Sequence, residues 1–413
     1  MPSSSTTFGS DNAAIPSTAL QWTDAELPCS ALWRSERGAP APKKVQITDD
    51  TITADAAYRL ACEGTGLLWR GDFQNARQLL QAIARRVEQP AKRTLRKQTA
   101  KVSIAANTNS ERPVESAFNL HRQSQAQRAR VLGMVLIPVN GDLSIPLRRA
   151  PDARKACAEA WGTVDADTGV SVVSLREILG LISAHEWRKK GVEIAALGAA
   201  PNNRIHPHYG VFSPVRGEYV DLVAKALKAS PSAHTAFDIG TGTGVLAAVM
   251  ARSGIAQVVA TDQDPRALIC AKDNLSRLGV TSQVKLVQAN LFPDGQAQLV
   301  VCNPPWLPAR PSAPIEHAVY DEGSRMLKGF LTGLRPHLAP EGEGWLIMSD
   351  LAEHLGLRSR ADLLAAINEA GLTVIARMDA KPLHPKAADA TDPLHSARSA
   401  ETTSLWRLAA KPV

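Results

Sequence analysis

The sequence predicts an α/β protein: a doubly wound, largely parallel sheet in the C-terminal half, preceded by a helix-rich N-terminal domain. Three observations predict it. After Asn203, short apolar stretches alternate with helical ones, the rhythm of a parallel sheet with helices on both faces. AFDIGTGTGVLA (236–247) reads as strand, glycine turn, helix. LVVCNPPWLPARP (299–311) reads as a buried strand that ends in a turn with almost no backbone donors.

Taken in order, residues 1–45 are rich in Ser, Thr, Pro and Ala without periodicity, and are expected to form a disordered lead-in. Residues 46–200 are expected to be a helix-rich, basic domain that recognises substrate. TITADAAYRLACE (51–63) has helical spacing, broken by Gly64 and Gly66. FQNARQLLQAIARRV (73–87) sets Ala76, Leu79, Leu80, Ile83 and Val87 on one helical stripe. EGTGLLWRG (63–71) lacks the phosphate-loop pattern and reads as helix punctuation. The basic stretch 90–115 reads as a loop or weakly ordered arm, 117–131 as a helix, and VLGMVLIPV (131–139) as a strand. SLREILGLISAHEWRKKG (174–191) is a helix closed by Gly191. In the third segment, 201–413, strands are expected at 235–240, 257–262, 284–289, 299–303, 344–350, 372–378 and 402–409. Helices are expected near 243–253, 265–279, 321–338 and 359–371.

Composition narrows the class. A chain of 413 residues with 21% charged residues has material for two or three soluble domains. No window reaches the roughly eighteen apolar residues of a membrane-spanning helix. The N-terminus lacks the basic and apolar regions of a secretory signal. Five scattered cysteines (Cys29, Cys62, Cys157, Cys270, Cys302) form no CxxC pair, which suits a reducing cytoplasm and argues against a structural zinc site. Residues 85–130 hold 11 basic and 3 acidic residues. Such a block fits a phosphate-bearing or acidic partner, or else a solvated helix face.

The glycine turn carries the first chemistry. Gly240, Gly242 and Gly244 permit tight turning and close backbone approach. Val245 stands where the dinucleotide fingerprint needs glycine, which argues against a nicotinamide dehydrogenase. Asp238 can accept from an ammonium or from turn amides. The second strand ends in Asp262, where a carboxylate can take both hydroxyls of a ribose. Asn290 follows the third strand, where an adenine amine could be read.

Asp238 to Gly244, Asp262 and NPPW (303–306) together resemble the class I S-adenosylmethionine-dependent methyltransferases, over about residues 208–410. The resemblance implies a Rossmann-like seven-stranded sheet and S-adenosyl-L-methionine as cofactor. It implies that Asp238, Gly240, Thr241, Gly242 and Gly244 bind the methionine part, Asp262 the ribose and Asn290 the adenine. The family usually has Asp at the last position; Asn keeps an acceptor but loses the charge. HYGVFSPVRGEYVDLVAKAL (208–227) looks like the lead-in of the release-factor glutamine methyltransferases. That likeness puts Phe212, Pro214 and Glu218 near cofactor or substrate.

NPPW resembles the signature of enzymes that methylate amino nitrogens. A planar amide or exocyclic amine is a poor nucleophile, because its lone pair is delocalised. Two acceptors at its hydrogens can hold it and favour rehybridisation. Asn303 offers a side-chain oxygen and Pro304 a carbonyl, while proline brings no competing N–H. Pro304 also restricts Asn303 to extended geometry, and Trp306 offers a flat face for stacking. These three are the expected catalytic residues, and the resemblance also implies that Asn303, like Phe212, borders the cofactor. Arg310, Tyr320, Asp321 and Arg325 follow the turn and are candidates for the substrate wall. His206 and His208 read as loop residues, and no metal is expected. The connection 380–401 is too long for a simple hairpin and is either a lid or a surface excursion.

The leading expectation is therefore N-methylation of a macromolecule, with a protein glutamine favoured over ribosomal or transfer RNA. The alternative of another class is a non-catalytic scaffold that keeps the methyltransferase fold and binds cofactor or RNA.

Overall fold

The computed structural model describes residues 19–102, 114–163, 169–229, 233–311, 316, 318–382, 389 and 392–412. The chain forms two compact units. The first takes residues as far as Leu95, then Arg128–Arg154 and Trp161–Leu179; the second takes Arg96–Gln127, Lys155–Ala160 and Gly180–Val413.

The first unit is built on a six-stranded mixed sheet. Its strands are β1 (Ala19–Asp24), β2 (Leu27–Arg34), β3 (Lys44–Thr48), β4 (Thr65–Trp69), β5 (Val135–Val139) and β6 (Ser171–Ser174), in the order β1-β2-β6-β5-β4-β3. This corrects the expectation of a disordered lead-in over 1–45 for residues 19–45; residues 1–18 lie outside the described residues. β1 and β2 form an antiparallel hairpin through Ala25 and Glu26, both at positive φ (47° and 68°). Such a turn is usually marked by Asn-Gly, so Ala-Glu conceals it. The punctuation reading of EGTGLLWRG holds for Gly64 (φ 84°) but fails for Gly66. Gly66 lies inside β4, where a Cβ would come within 2.7 Å of Leu136.

Helices α1 (Ala54–Cys62), α2 (Phe73–Val102) and α3 (Val114–Leu132) fall on the segments expected to be helical at 51–63, 73–87 and 117–131; α4 (Arg154–Trp161) has no counterpart among the expected helices, and α5 (Leu175–Lys190) falls on 174–191. The backbone of 90–102 is helical, not a loop; its Lys, Arg, Gln and Ala are good helix formers even without an apolar stripe. Residues 103–113 of the expected arm lie outside the described residues. Among the described residues, no helix is long and apolar enough to cross a membrane.

A short pair, β7 (Val192–Glu193) with β8 (Arg204–Ile205), precedes the second sheet. Then come α6 (Glu218–Ala229), β9 (Thr235–Ile239), α7 (Val245–Arg252), β10 (Gln257–Asp262), α8 (Pro265–Arg277), β11 (Val284–Gln288) and β12 (Ala297–Cys302). α9 (Arg325–His337), β13 (Leu338–Ser349), α10 (Leu351–His354), α11 (Arg360–Glu369), β14 (Leu372–Ala380), α12 (His395–Ala400) and β15 (Thr403–Ala410) complete it. The order is β11-β10-β9-β12-β13-β15-β14, with β15 antiparallel to both neighbours. The order reverses between β9 and β12, so loops at their carboxyl ends open a crevice there.

The apolar run of β12 is explained by this position. Leu299 and Val301 pack into the core on one face, with Val249, Trp345 and Ile347. Val300 and Cys302 pack into the other, with Phe330, Leu334 and Leu346. Each fully buried valine contributes about 1.5–3 kcal/mol. A smaller cluster joins Phe118 of α3, Leu307, α10 and α12, so the end of the 380–401 connection is part of the packed unit.

In the first unit the Asp72 carboxylate receives Arg148 and Arg149 at 3.0 and 2.7 Å and the Gln74 amide at 2.8 Å. The Arg149 hydrogen bond, with these partners, pulls its pKa from 3.8 down to about 2. A depressed carboxylate pKa adds stability above the unfolded value, lost as pH falls through the folded one. Asp72→Asn is expected to lower the Tm near neutrality and to flatten its decline between pH 3.8 and about 2, measured by thermal melts. An unchanged acid limb would refute this.

Candidate functional site

The crevice is organised by the turn after β9. The three glycines have φ of 74°, 55° and 80° at Gly240, Gly242 and Gly244, a region that disfavours side chains. The amides of Gly240 and Thr241 both donate to the Thr261 carbonyl, at 2.9 and 2.8 Å. The Gly242 amide donates to Asp262 Oδ2 at 3.0 Å. The turn is thus tied to the end of β10 rather than free in solvent.

Asp238 is buried within that turn. Its Oδ2 accepts from the Thr241 hydroxyl at 2.6 Å and the Ala247 amide at 3.0 Å. Burial pushes its pKa up to about 6. Of the two partners foreseen for it, an ammonium or local amides, the local donors engage it here. Asp262 is half-buried at the mouth, and Oδ1 accepts from the Asp264 amide. Burial also raises its pKa above the ordinary carboxylate value.

The three glycines differ in what surrounds them. A Cβ on Gly240 would meet Met326 Cε at 2.6 Å, and one on Gly244 would meet the Ala271 Cα at 3.2 Å. A Cβ on Gly242 would meet nothing within 4 Å. Gly242 therefore fronts open space beside Asp262. Asn290 is exposed two residues past β11, and the neighbouring Ala289 amide donates to the Asp262 carbonyl. Phe212 is exposed, whereas Pro214 and Glu218 are buried.

Asn303 begins the turn after β12. Its Oδ1 accepts from Trp306 Nε1 at 2.9 Å. One face of the Trp306 ring carries the Arg216 guanidinium at 4.9 Å. The structure thus modifies the expectation that Trp306 offers a free flat face: its N–H orients Asn303 and one face is covered. Arg216 in turn donates from Nε to Glu218 Oε1 and from Nη2 to Glu401 Oε1, both at 2.9 Å. Ser349, at the end of β13, donates its hydroxyl to the same Glu401 oxygen at 2.5 Å.

No local sequence signal marks Arg216, Ser349 or Glu401: Arg216 lies within the lead-in 208–227, and Glu401 closes the 380–401 connection. The wall candidates resolve differently. Asp321 Oδ2 accepts from the Met326 and Leu327 amides and caps α9, which opens at Arg325. Tyr320 lies under the Arg122 guanidinium at 4.6 Å, and the Arg310 carbonyl accepts from Arg122 Nη2 at 2.6 Å. His206 Nδ1 pairs with the Arg188 carbonyl, and His208 Nε2 with Asp273. Burial holds the His208 pKa below its usual value. Among the described residues, no group of three His, Cys, Asp or Glu could hold a metal ion.

Residues 202–353 match the family described as "Methyltransferase small domain". A ribosomal protein L11 methyltransferase of Pelotomaculum thermopropionicum is 49% identical over 71 residues, 17% of this chain and 23% of the relative. A release factor glutamine methyltransferase of Geobacter sulfurreducens is 37% identical over 91 residues, 21% of this chain and 31% of the relative. The chain thus spans under a third of the length of these relatives. A solved ribosomal protein L11 methylase from Lactobacillus delbrueckii subsp. bulgaricus aligns at TM-score 0.36 and 18% identity, over 52% of this chain and 90% of that one.

An alanine at either position 242 or 244 costs about 1–2 kcal/mol of backbone strain. At 244 it also presses on the Ala271 backbone. Gly244→Ala is therefore expected to lower the Tm more. Gly242→Ala is expected to weaken S-adenosylhomocysteine binding by about tenfold, roughly 1.4 kcal/mol. Calorimetric titration beside thermal melts checks both; wild-type affinity in Gly242→Ala would remove Gly242 from the cofactor site.

Proposed function

We propose that this chain, whose residues 202–353 form a methyltransferase small domain, is an S-adenosylmethionine-dependent N-methyltransferase of a protein amide, a glutamine side chain. The observation that carries the reading is the Asn303 carboxamide, held by Trp306 at the switch point of the sheet. A carbonyl oxygen has two lone pairs. Trp306 engages one and leaves the other as a directed acceptor for a substrate N–H. The two prolines after Asn303 contribute no amide donor to compete.

Asp262, the Gly242 backbone and Asn290 fit the nucleoside part of the cofactor, since the space at Gly242 is open and carboxylate oxygens accept more than one donor. When bound, the cofactor supplies a methyl group activated by a sulfonium. Asn303 then restrains the substrate nitrogen and favours its rehybridisation. As the substrate nitrogen takes the methyl group, S-adenosylhomocysteine is released and the N–H proton, made acidic by methylation, passes to solvent; positioning supplies most of the rate in the proposed scheme, without a strong general base.

Two observations support a protein substrate. The relatives matched are named for ribosomal protein L11 and for release factor glutamine. The cation stacked on Trp306 is already committed to two carboxylates, so it is a poor receptor for nucleic-acid phosphate. An RNA exocyclic amine is the second reading, favoured by the basic balance of residues 85–130. The five free thiols suit a reducing cytoplasm.

The test is transfer of tritiated methyl from S-adenosylmethionine into a lysate from cells lacking this chain, followed by separation of protein from RNA. Label in protein, released as N-methylglutamine on enzymatic digestion, is expected. Label in RNA would establish the second reading. Asn303→Ala is expected to keep cofactor affinity and to lower transfer by about a hundredfold. Full turnover in that variant would overturn the role of Asn303. Absence of cofactor binding by the wild type would leave the scaffold alternative.

A further inference from the structure

The group around Trp306 is joined across distant parts of the chain. Arg216 comes from the segment before α6, Ser349 from the end of β13, and Glu401 from the end of the 380–401 connection. All three converge behind the ring whose N–H holds Asn303. Glu401 is fully buried. Its Oε1 takes both Arg216 and Ser349, while Oε2 has no hydrogen-bond partner among the described residues. Glu218, also buried, fixes the other edge of the guanidinium through Nε.

We propose that Arg216, clamped between Glu218 and Glu401, is a positioning residue that fixes the plane of Trp306 and through it the direction of the Asn303 acceptor. The inference rests on the reading of Asn303 as the group that restrains the substrate nitrogen. The guanidinium is planar, and two fixed donors leave it little freedom to rotate. A plane lying over an indole restricts the indole's own rotation. The indole N–H then points at one place, and the Asn303 carboxamide is held against it. Without the clamp, Trp306 and Asn303 sample other rotamers, and only a fraction of molecules present the acceptor correctly. The loss falls on turnover rather than on cofactor affinity, because Asp262 and the glycine turn are tied separately to β10. The connection 380–401 thereby contributes to the reaction through Glu401, which its bare length does not reveal.

The experiment uses the full chain with variants E401Q and R216K. E401Q keeps shape and removes the charge, and R216K keeps the charge and removes the planar stack. One arm reads kcat and KM for labelled methyl transfer into the protein fraction, with S-adenosylhomocysteine affinity by calorimetry. Both variants are expected to lower kcat about tenfold, with KM and cofactor affinity within about twofold. In an Asn303→Ala background they are expected to cause no further loss, since they act through Asn303. The second arm needs no activity: the Trp306 indole resonance in nitrogen-15 spectra, assigned by its absence in W306F. It is expected to move in N303A and, in the same direction, in E401Q and R216K.

A raised KM at unchanged kcat would make Arg216 a substrate contact and overturn the proposal. Additive losses in the Asn303→Ala background, or an indole resonance that ignores E401Q and R216K, would also overturn it. If the wild type transfers no methyl, the proposed activity falls, while the indole resonance still decides the clamp. Should E401Q fail to fold, R216K carries both arms.

Discussion

The site depends on one buried carboxylate. Asp238 lies in the centre of the sheet domain, and its Oδ2 gathers the Thr241 hydroxyl and the Ala247 amide. Ala247 sits in the first turn of α7, where helical amides have no intrahelical acceptor. The same oxygen therefore closes the glycine turn and caps the helix that follows. Desolvation makes this arrangement expensive, as the upward shift of its pKa to about 6 records. The two donors and the helix N-terminus offset that cost. The glycine turn takes its position from this anchor. The turn backbone docks on Thr261, Gly242 reaches Asp262, and open space is left at Gly242 alone of the three glycines.

The second sheet was legible because burial on both faces leaves a strong signature. β9, β12 and the second half of β13 (Trp345–Met348) are short, mostly apolar, buried runs, and the helices between them carry clear periodicity. The first sheet was not legible in the same way. β1 alternates exposed and covered positions without an apolar run, and its hairpin turns on Ala25-Glu26 rather than Asn-Gly. β6 is four residues long and gains its identity from pairing between β2 and β5. Such strands are specified by neighbours far away in sequence, which a local reading does not contain.

Much the same division runs through the site. Gly240, Gly242, Gly244, Asp262 and Asn303 announce themselves because their chemistry is local: a turn, a strand end, an Asn before proline. What each side chain actually touches is not local. The partner of Arg216 at Glu401 is 185 residues away, and no spacing rule connects them. Trp306 illustrates the consequence. Read alone, an aromatic at this position is a stacking surface. With Arg216 over its face and Asn303 on its nitrogen, it becomes a lever that holds another residue.

Stability alone is a weak reason for the charged group behind Trp306. Burying two carboxylates and a guanidinium costs desolvation, and well-packed apolar side chains of similar volume would often give equal or greater stability. Apolar packing, however, constrains position far better than direction. A methyl group fits a cavity in several rotations; a two-point guanidinium–carboxylate pairing does not. The reaction proposed here needs direction, because an amide nitrogen must be held by its hydrogens while the opposite face of the atom meets the methyl group. A lone asparagine, with freely rotating χ angles, cannot supply that. Trp306 restricts Asn303, Arg216 restricts Trp306, and the two glutamates restrict Arg216. Each link converts a soft torsion into a hard one. The series of contacts ends on regular elements: Glu218 is the first residue of α6, and Glu401 lies two residues before β15.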